Sequence, residues 1–385
     1  MNRQPFALLA VALAGVLAAC GGAAAPASST APSQAAASLA APGATSSASA
    51  KPAASASPAP LASAAASASL SASAAAKPAT ATDVQLALGY IPNVQFAPFY
   101  LAEAKGFYRD EGINISFDNG ISPDLIKAVG AGKFKFAIAD ADTVISARAE
   151  GIPVTYVASF FEQFPAAIIS LPKAGISQPA SIKGKKVGIP GQFGSSYVAL
   201  LELLGKLGLT EKDIDLQAIG FNQPPQLLAG KVDAVIGFAN NDALQVAAAG
   251  TKPNVMMLGE LVPMVGSGLV TNDDTLKGSP QLVQGMVRAM LRGMQYTMAH
   301  PDEAFQITTK AVPEAGGQNA KLNQDVLAAT LPLWRSSGTD ANGLGWADPD
   351  ALKAMSDTMV KAGIIRSAPA PDQVMTNRFI SKDVT

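Results

Sequence analysis

From residue 84 onward, apolar and polar positions fall into short blocks whose period switches between two and about 3.6. Residues 84–89 read as an apolar strand, which Pro92 and Asn93 break. A helical period then runs over 97–106, a strand over 113–117, a helix over 123–130, a strand over 134–138, a helix over 143–150 and a strand over 154–158. Strands alternating with helices at this spacing predict an α/β fold with a mostly parallel sheet covered on both faces.

The pattern then restarts. A strand at 185–189, a turn carrying Gly191 and Gly194, and an amphipathic helix at 195–207 closed by Gly208 are followed by a strand at 215–219, a helix at 224–230, a strand at 234–238 and a helix at 242–249. From residue 282 the pattern is mainly helical. A chain that builds part of one sheet, then a second sheet, then helices predicts two lobes: residues 83–170 with 268–385 as the first, and 171–267 as the second. Two connections, near 168–171 and 266–271, would cross between them as a hinge. Ligands of open α/β sheets bind beyond the carboxyl ends of the strands, so two such sheets facing each other would surround a common cleft.

Ahead of the folded part the chain reads differently. Arg3 precedes an apolar run at 6–17 and then Leu17-Ala18-Ala19-Cys20. The run is too short to span a bilayer and ends in small residues, the pattern of a cleaved signal peptide over residues 1–19. Cys20 sits in a sequence similar to a lipobox and would become the acylated N-terminus, tethering the protein to a membrane. It is the sole cysteine, so disulfides, thiol catalysis and cysteine metal sites drop out. Residues 21–82 are almost entirely Ala, Ser, Pro, Thr and Gly. Such a stretch buries too little apolar surface to offset its ordering entropy, so 20–82 is expected to be a disordered tether. Its end-to-end distance would be on the order of 45 Å.

With 28 Lys and Arg against 29 Asp and Glu, the chain lacks the basic excess that nucleic acid requires. A single histidine excludes a multi-histidine metal site, and His300, at a helix end before a new helix start, is not expected to serve a histidine-dependent triad. No cofactor, no metal and no enzymatic activity are expected.

Several motifs carry a family likeness. The run Gly89-Tyr-Ile-Pro-Asn-Val-Gln-Phe-Ala-Pro-Phe-Tyr-Leu-Ala-Glu-Ala-Lys-Gly-Phe-Tyr108, leading to Glu111-Gly112-Ile113, resembles the opening of periplasmic substrate-binding proteins of the thiamine-pyrimidine, riboflavin, nitrate and taurine group. Phe136-Ala-Ile-Ala-Asp140, Ile182-Lys-Gly-Lys-Lys-Val-Gly-Ile189 and Gly230-Lys-Val-Asp-Ala-Val-Ile236 follow in the group's order, although the Lys-Gly-Lys-Lys-Val-Gly piece is common to many two-lobed binding proteins. The resemblance implies a two-lobed closing fold of periplasmic-binding-protein type 2, with two mixed sheets. It also implies an extracytoplasmic monomer that hands a small-molecule solute to an ABC permease and its ATPase. Relatives that synthesise the thiamine pyrimidine carry a cysteine-rich iron motif that is absent here.

The candidate ligand-binding residues lie at strand ends. Asn93 matches an asparagine that faces the ligand in pyrimidine-binding relatives, with a simple turn as the rival role; Gln95 and Phe96 share its loop. Asp140 and Asp142 follow the strand at 134–138 and could accept hydrogen bonds from a ligand, or Asp142 could cap the next helix. Phe160, Phe161, Glu162 and Phe164 follow the strand at 154–158, where one or two of the three aromatic rings could stack on a flat solute. In the second lobe, Phe193, Gly194, Ser195, Ser196 and Tyr197 form a loop and helix start suited to an acceptor group. Phe238, Asn240 and Asn241 end its last strand, and Asp242 is expected to be an N-cap. Loops 90–100, 138–146, 160–166, 190–198 and 237–245 contain no Lys or Arg. A buried anion usually recruits a cation, so a neutral aromatic heterocycle, riboflavin or a thiamine-type pyrimidine, is favoured over an alkanesulfonate or nitrate. A sensor lipoprotein that binds without feeding a transporter remains a separate expectation. Trp334 and Trp346 are assigned to structure.

Overall fold

The computed structural model describes residues 81–262 and 264–383. The expected signal peptide, Cys20 and the tether up to residue 80 lie outside the described residues. Strand β1 (Thr82–Leu88) starts two residues earlier than expected. It is followed by α1 (Ala97–Ala104), α2 (Phe107–Asp110), β2 (Ile113–Asn119), α3 (Ser122–Gly130), β3 (Phe136–Asp140), α4 (Ala141–Ala149) and β4 (Val154–Ser159). Next come β5 (Ala166–Ser170), β6 (Lys186–Ile189), α5 (Gly194–Lys206), β7 (Asp215–Ala218), α6 (Gln223–Leu228), β8 (Ala234–Phe238), α7 (Asp242–Ala248) and β9 (Asn254–Met257). The chain closes with β10 (Ser267–Asn272), α8 (Asp273–Gly278), α9 (Pro280–Ala299), α10 (Pro301–Ala311), α11 (Ala320–Thr330), α12 (Ser337–Asn342), α13 (Pro349–Lys361) and α14 (Pro371–Val374).

Two five-stranded mixed sheets result, in the orders β2-β1-β3-β10-β4 and β7-β6-β8-β5-β9. The orders match position by position. In each sheet the strands made locally run parallel, while the strand fourth in the order arrives directly from the other lobe and runs antiparallel: β10 between β3 and β4, and β5 between β8 and β9. The chain therefore changes sheet within residues 160–165 and again within 258–266.

These positions correct the expected boundaries. Residues 168–171 were to be a crossing, yet Ile168 pairs with Ile236 and Met256 inside the second sheet. Similarly, 267–271 belongs to the first sheet, where Leu269 pairs with Ile138 and Ala158. Apolar runs of this kind read equally well as a buried strand or a buried linker, and only tertiary pairing decides.

The two crossings lie against each other. Phe160 and Phe161 both donate backbone hydrogen bonds to the Ser267 carbonyl, at 2.9 and 3.0 Å. A Cβ on Gly266 would stand 2.3 Å from the Phe161 carbonyl oxygen, so this approach requires glycine. Away from the crossings, α13 packs on both α4 and α5. Met355 and Met359 of α13 share one apolar core with Val144 of the first lobe and Val198 of the second. No helix among the described residues is long and apolar enough to cross a membrane.

Candidate functional site

The carboxyl ends of β1, β3 and β4 meet those of β6, β7 and β8 around a cleft with about 950 Å³ of empty space, counting the part open to solvent. Each wall is a set of strand-end loops. From the first lobe come Gly89, Tyr90, Gln95 and Phe96 after β1, Asp140 at the end of β3, Phe160 and Phe161 after β4, and Ser122 at the start of α3. From the second come Pro190 and residues 193–196 after β6, Phe221 and Gln223 after β7, and Phe238, Asn241 and Asp242 after β8. The lining holds seven aromatic residues and no Lys, Arg or His.

The polar groups of the first-lobe wall are mostly engaged already. Ser267 donates to Asp140 Oδ1 at 2.5 Å, and Ser122 approaches Asp140 Oδ2 at 3.5 Å. Asp142 does not line the cleft. It sits in the first turn of α4, with its Oδ1 accepting a 2.5 Å hydrogen bond from Ser195 Oγ of the second lobe. Burial pushes both carboxyls above the usual carboxylate range; the charge of Asp140 raises Asp142 further, while the serine hydrogen bonds oppose the rise.

Gln95 is 4% exposed and links three segments. Its backbone N–H and Nε2 donate to Asn93 Oδ1 at 3.0 and 3.2 Å, and its Oε1 accepts from Asn240 Nδ2 at 2.8 Å. Asn240 Nδ2 also donates to Thr330 Oγ1 of α11 at 2.8 Å, so this amide ties the second lobe to the first. The aromatic part of the same wall is a cluster. Phe160 stands 5.0 Å from Phe99, 4.8 Å from Phe161 and 5.7 Å from Trp334, which is fully buried and backs the cleft from the C-terminal region.

In the second lobe, Gly194 opens α5 with a φ of 75°, a conformation that disfavours any side chain. Phe193 at the N-cap makes no side-chain capping bond. Phe193 and Phe221 are 41% and 40% exposed, an unusual state for phenylalanine and one that a flat ligand would relieve. Phe221 meets Tyr90 of the first lobe edge to face, with ring centroids 5.3 Å apart.

The structure brings Gln95, Phe96, Asp140, Phe160, Phe193, Gly194, Ser195, Ser196, Phe238 and Asn241 to the cleft. Six expected residues do other work. Asn93 caps the short helical turn Val94–Phe96, Asp142 holds Ser195, and Asn240 bridges the lobes behind the wall. Glu162 accepts from Ser336 Oγ at 3.0 Å and anchors the first crossing, where burial pushes it up to about 7. Phe164 backs Phe238 edge to face at 5.7 Å, and Tyr197 donates to Glu211 Oε1 at 3.0 Å. Asp242, expected to be an N-cap, instead accepts from the Phe238 backbone N–H at 2.7 Å; the cap position of α7 belongs to Asn241. Phe161, expected among the strand-end aromatics, also lines the cleft, and Tyr90, Phe221 and Gln223 line it without having been singled out. The strand-end rule applied to β7 would have found the last two.

Two α/β lobes around a cleft of strand-end loops define the periplasmic-binding-protein fold. Solved structures of that fold are similar to the chain. The aliphatic sulphonate binding protein SsuA of Escherichia coli aligns with TM-score 0.61 at 16% identity, over 77% of this chain and 92% of its own. The alkanesulfonate-binding SsuA of Xanthomonas axonopodis, bound to MOPS, aligns with TM-score 0.60 at 16% identity, over 77% of this chain and 100% of its own. The NMT1/THI5-like family model matches residues 93–304, and the chain belongs to that family. Riboflavin-binding protein RibY of Chloroflexus aurantiacus is 34% identical over 304 residues, 78% of this chain and 87% of the relative. A 4-amino-5-hydroxymethyl-2-methylpyrimidine phosphate synthase of Legionella pneumophila is 27% identical over 257 residues, 65% of this chain and 79% of the relative.

Proposed function

We propose that the protein captures riboflavin, or a flavin-type ring closely like it, between its two lobes and delivers it to an ABC importer from a lipid anchor at Cys20. The observation that carries this reading is the lining: seven aromatic residues and neutral amide and hydroxyl side chains, without a cation. A flat, uncharged, partly apolar ring system gains from stacking on such walls, at roughly 0.5 to 1.5 kcal/mol per aromatic contact beyond area burial. The likeness to a riboflavin-binding relative supports the same ligand. A buried sulfonate or nitrate would face carboxylates with no counter-ion, which disfavours the anionic solutes.

Some relatives are named as pyrimidine phosphate synthases, which favours catalysis as the second reading. The cleft lining holds no Cys, His or Lys, so nucleophilic or metal chemistry there would have to rest on carboxylates and hydroxyls. Asp140 is already engaged with Ser267 and Ser122, and Ser195 with Asp142, which supports binding without turnover. The ligand bridges loops of both lobes and therefore binds the closed form better than the open one, the condition for shifting a hinge equilibrium.

The test is a titration of riboflavin fluorescence with the full chain. Quenching that saturates at one flavin per protein, with a dissociation constant of about 1 µM or below, is expected. A thermal shift produced by an alkanesulfonate and absent with riboflavin would overturn the reading.

A further inference from the structure

The cleft is polar at its floor and apolar at its mouth. Six large apolar side chains are exposed among the described residues, and three of them, Ile121, Phe193 and Phe221, line this one cleft. A fourth, Ile91, is 56% exposed and follows Tyr90 of the lining. Exposed apolar residues scattered singly are ordinary, whereas a group from both lobes around one opening marks a binding surface. On the floor, the amides of Gln95, Gln223 and Asn241 line the same space yet are almost fully buried. The polarity of the Gln95 amide is fixed from both ends. Thr330 Oγ1 spends its proton on the Val326 carbonyl at 2.7 Å, so it must accept from Asn240 Nδ2. That nitrogen then also donates to Gln95 Oε1. At the other end, Asn93 Oδ1 is held by the Gln95 backbone N–H and accepts from Gln95 Nε2. A flipped amide would set acceptor against acceptor and donor against donor. One N–H on Nε2 and one lone pair on Oε1 are left over, side by side.

We propose that the solute lies with its imide edge inward, a ring carbonyl and the neighbouring N–H paired with Gln95, and its hydrocarbon end outward between Ile121, Phe193 and Phe221. The site then takes flavins enlarged at the benzenoid end and rejects those alkylated at the imide nitrogen. This inference rests on the flavin reading above. An isoalloxazine is polar at one end, where an N–H stands between two carbonyls, and hydrocarbon at the other. The donor and acceptor left on Gln95 match that N–H and one carbonyl. Turned round, the ring would press methyl groups against buried amides and leave their donors unpaired, while its own carbonyls faced the apolar mouth. The inward orientation carries neither mismatch. Gln95 touches the ligand in this arrangement. Asn240 is a positioning residue, acting through the Gln95 carbonyl oxygen.

The experiment measures binding of three ligands to the full chain by isothermal titration calorimetry: riboflavin, its derivative methylated at the imide nitrogen, and an analogue with a dimethylamino group in place of a benzenoid methyl group. Imide methylation removes the paired proton and forces a methyl group against the floor, so affinity should fall about 100-fold. The dimethylamino group projects from the mouth, and that analogue should bind within about threefold of riboflavin. Gln95→Leu keeps the approximate size of the side chain and removes the pair. Riboflavin should then weaken by about tenfold or more, while the imide-methylated flavin changes by less than about threefold. A merely structural role for Gln95 would weaken both alike. Should the variant fail to fold, the two analogues on the wild type decide alone. Imide methylation that costs less than about threefold, a benzenoid substitution that costs about 30-fold or more, or an equal loss for both flavins in folded Gln95→Leu overturns the orientation and leaves the flavin reading intact. Binding of none of the three ligands overturns both.

Discussion

The two walls of the cleft differ in how much of their apolar surface is already covered. On the first lobe, Phe96 and Phe160 border the cavity yet are only 6% and 1% exposed, held by Phe99, Phe161 and Trp334. On the second, Phe193 and Phe221 keep 41% and 40% of their surface open. A side chain that is buried before a ligand arrives gives it a rigid surface but little new burial. One that is still exposed gains apolar contact on binding, at about 25 cal/mol per Å² covered. On the proposed reading the first wall is therefore a preformed seat, and the second supplies much of the free energy of ligand binding. Substitutions should separate these roles, with stability responding on one side and affinity on the other.

The largest expected effect lies on the seat. Phe160→Ala removes a ring at the centre of the aromatic cluster and leaves Trp334 facing a hole. The cost should be about 3–5 kcal/mol of stability, the usual range for truncating a buried phenylalanine. Thermal unfolding followed by circular dichroism should show Tm lower by on the order of 10 °C. A change of a degree or two would mean that the cluster collapses around the gap, and the wall would no longer qualify as rigid.

Phe221→Ala should invert that pattern. The side chain is 40% exposed and meets Tyr90 edge to face, so stability should move by no more than about 0.5 kcal/mol. Riboflavin affinity should fall roughly tenfold, the loss of one aromatic contact together with the area it covers. If Phe221→Ala lowered Tm as much as Phe160→Ala, or left affinity untouched, the division of labour between the walls would fail.

The sequence made the elements of both walls legible and left their roles partly hidden. Period two and period 3.6 located β1, β3, β6, β8 and their helices, because locally parallel strands alternating with helices leave a strong pattern. The exchanged strands β5 and β10 leave none of their own, since what makes each a strand is a partner in the other lobe. The strand-end rule pointed to Asp140, Phe160, Ser195 and Phe238, and all four lie in the cleft lining. It could not rotate individual side chains. Ser195 and Tyr197 are two residues apart on α5, about 200° around the helix, so when Ser195 turns to the first lobe, Tyr197 must turn away toward Glu211. Asn93 illustrates the same limit: an amide beside a strand end can meet a ligand or close its own turn, and here it closes the turn.

The smallest expected effect concerns Asp242, the exception on the open wall. It is 7% exposed, and burial pushes its carboxyl from 3.8 to about 6, while the hydrogen bond from the Phe238 N–H opposes the rise. In the unfolded chain the group loses its proton near its ordinary value; in the folded one it holds the proton to about 6. Between those values the folded state binds more protons, so stability is greatest below about 4 and declines as pH rises to about 6, after which the penalty is constant. A shift of two units sets a ceiling of about 3 kcal/mol, and water in the open cleft should reduce the realised effect to about 1 kcal/mol. Asp140, Asp142 and Glu162 are raised in the same direction, so the wild-type decline is shared, and the contribution of Asp242 appears only as a difference. Asp242→Asn keeps an acceptor for the Phe238 amide and has no proton to lose. Its Tm should therefore fall less between pH 4 and pH 6 than that of the wild type, by on the order of 2 °C. Parallel profiles would show that the Asp242 carboxylate is solvated as fully in the fold as outside it, which would make the second wall open throughout, its one buried acid included.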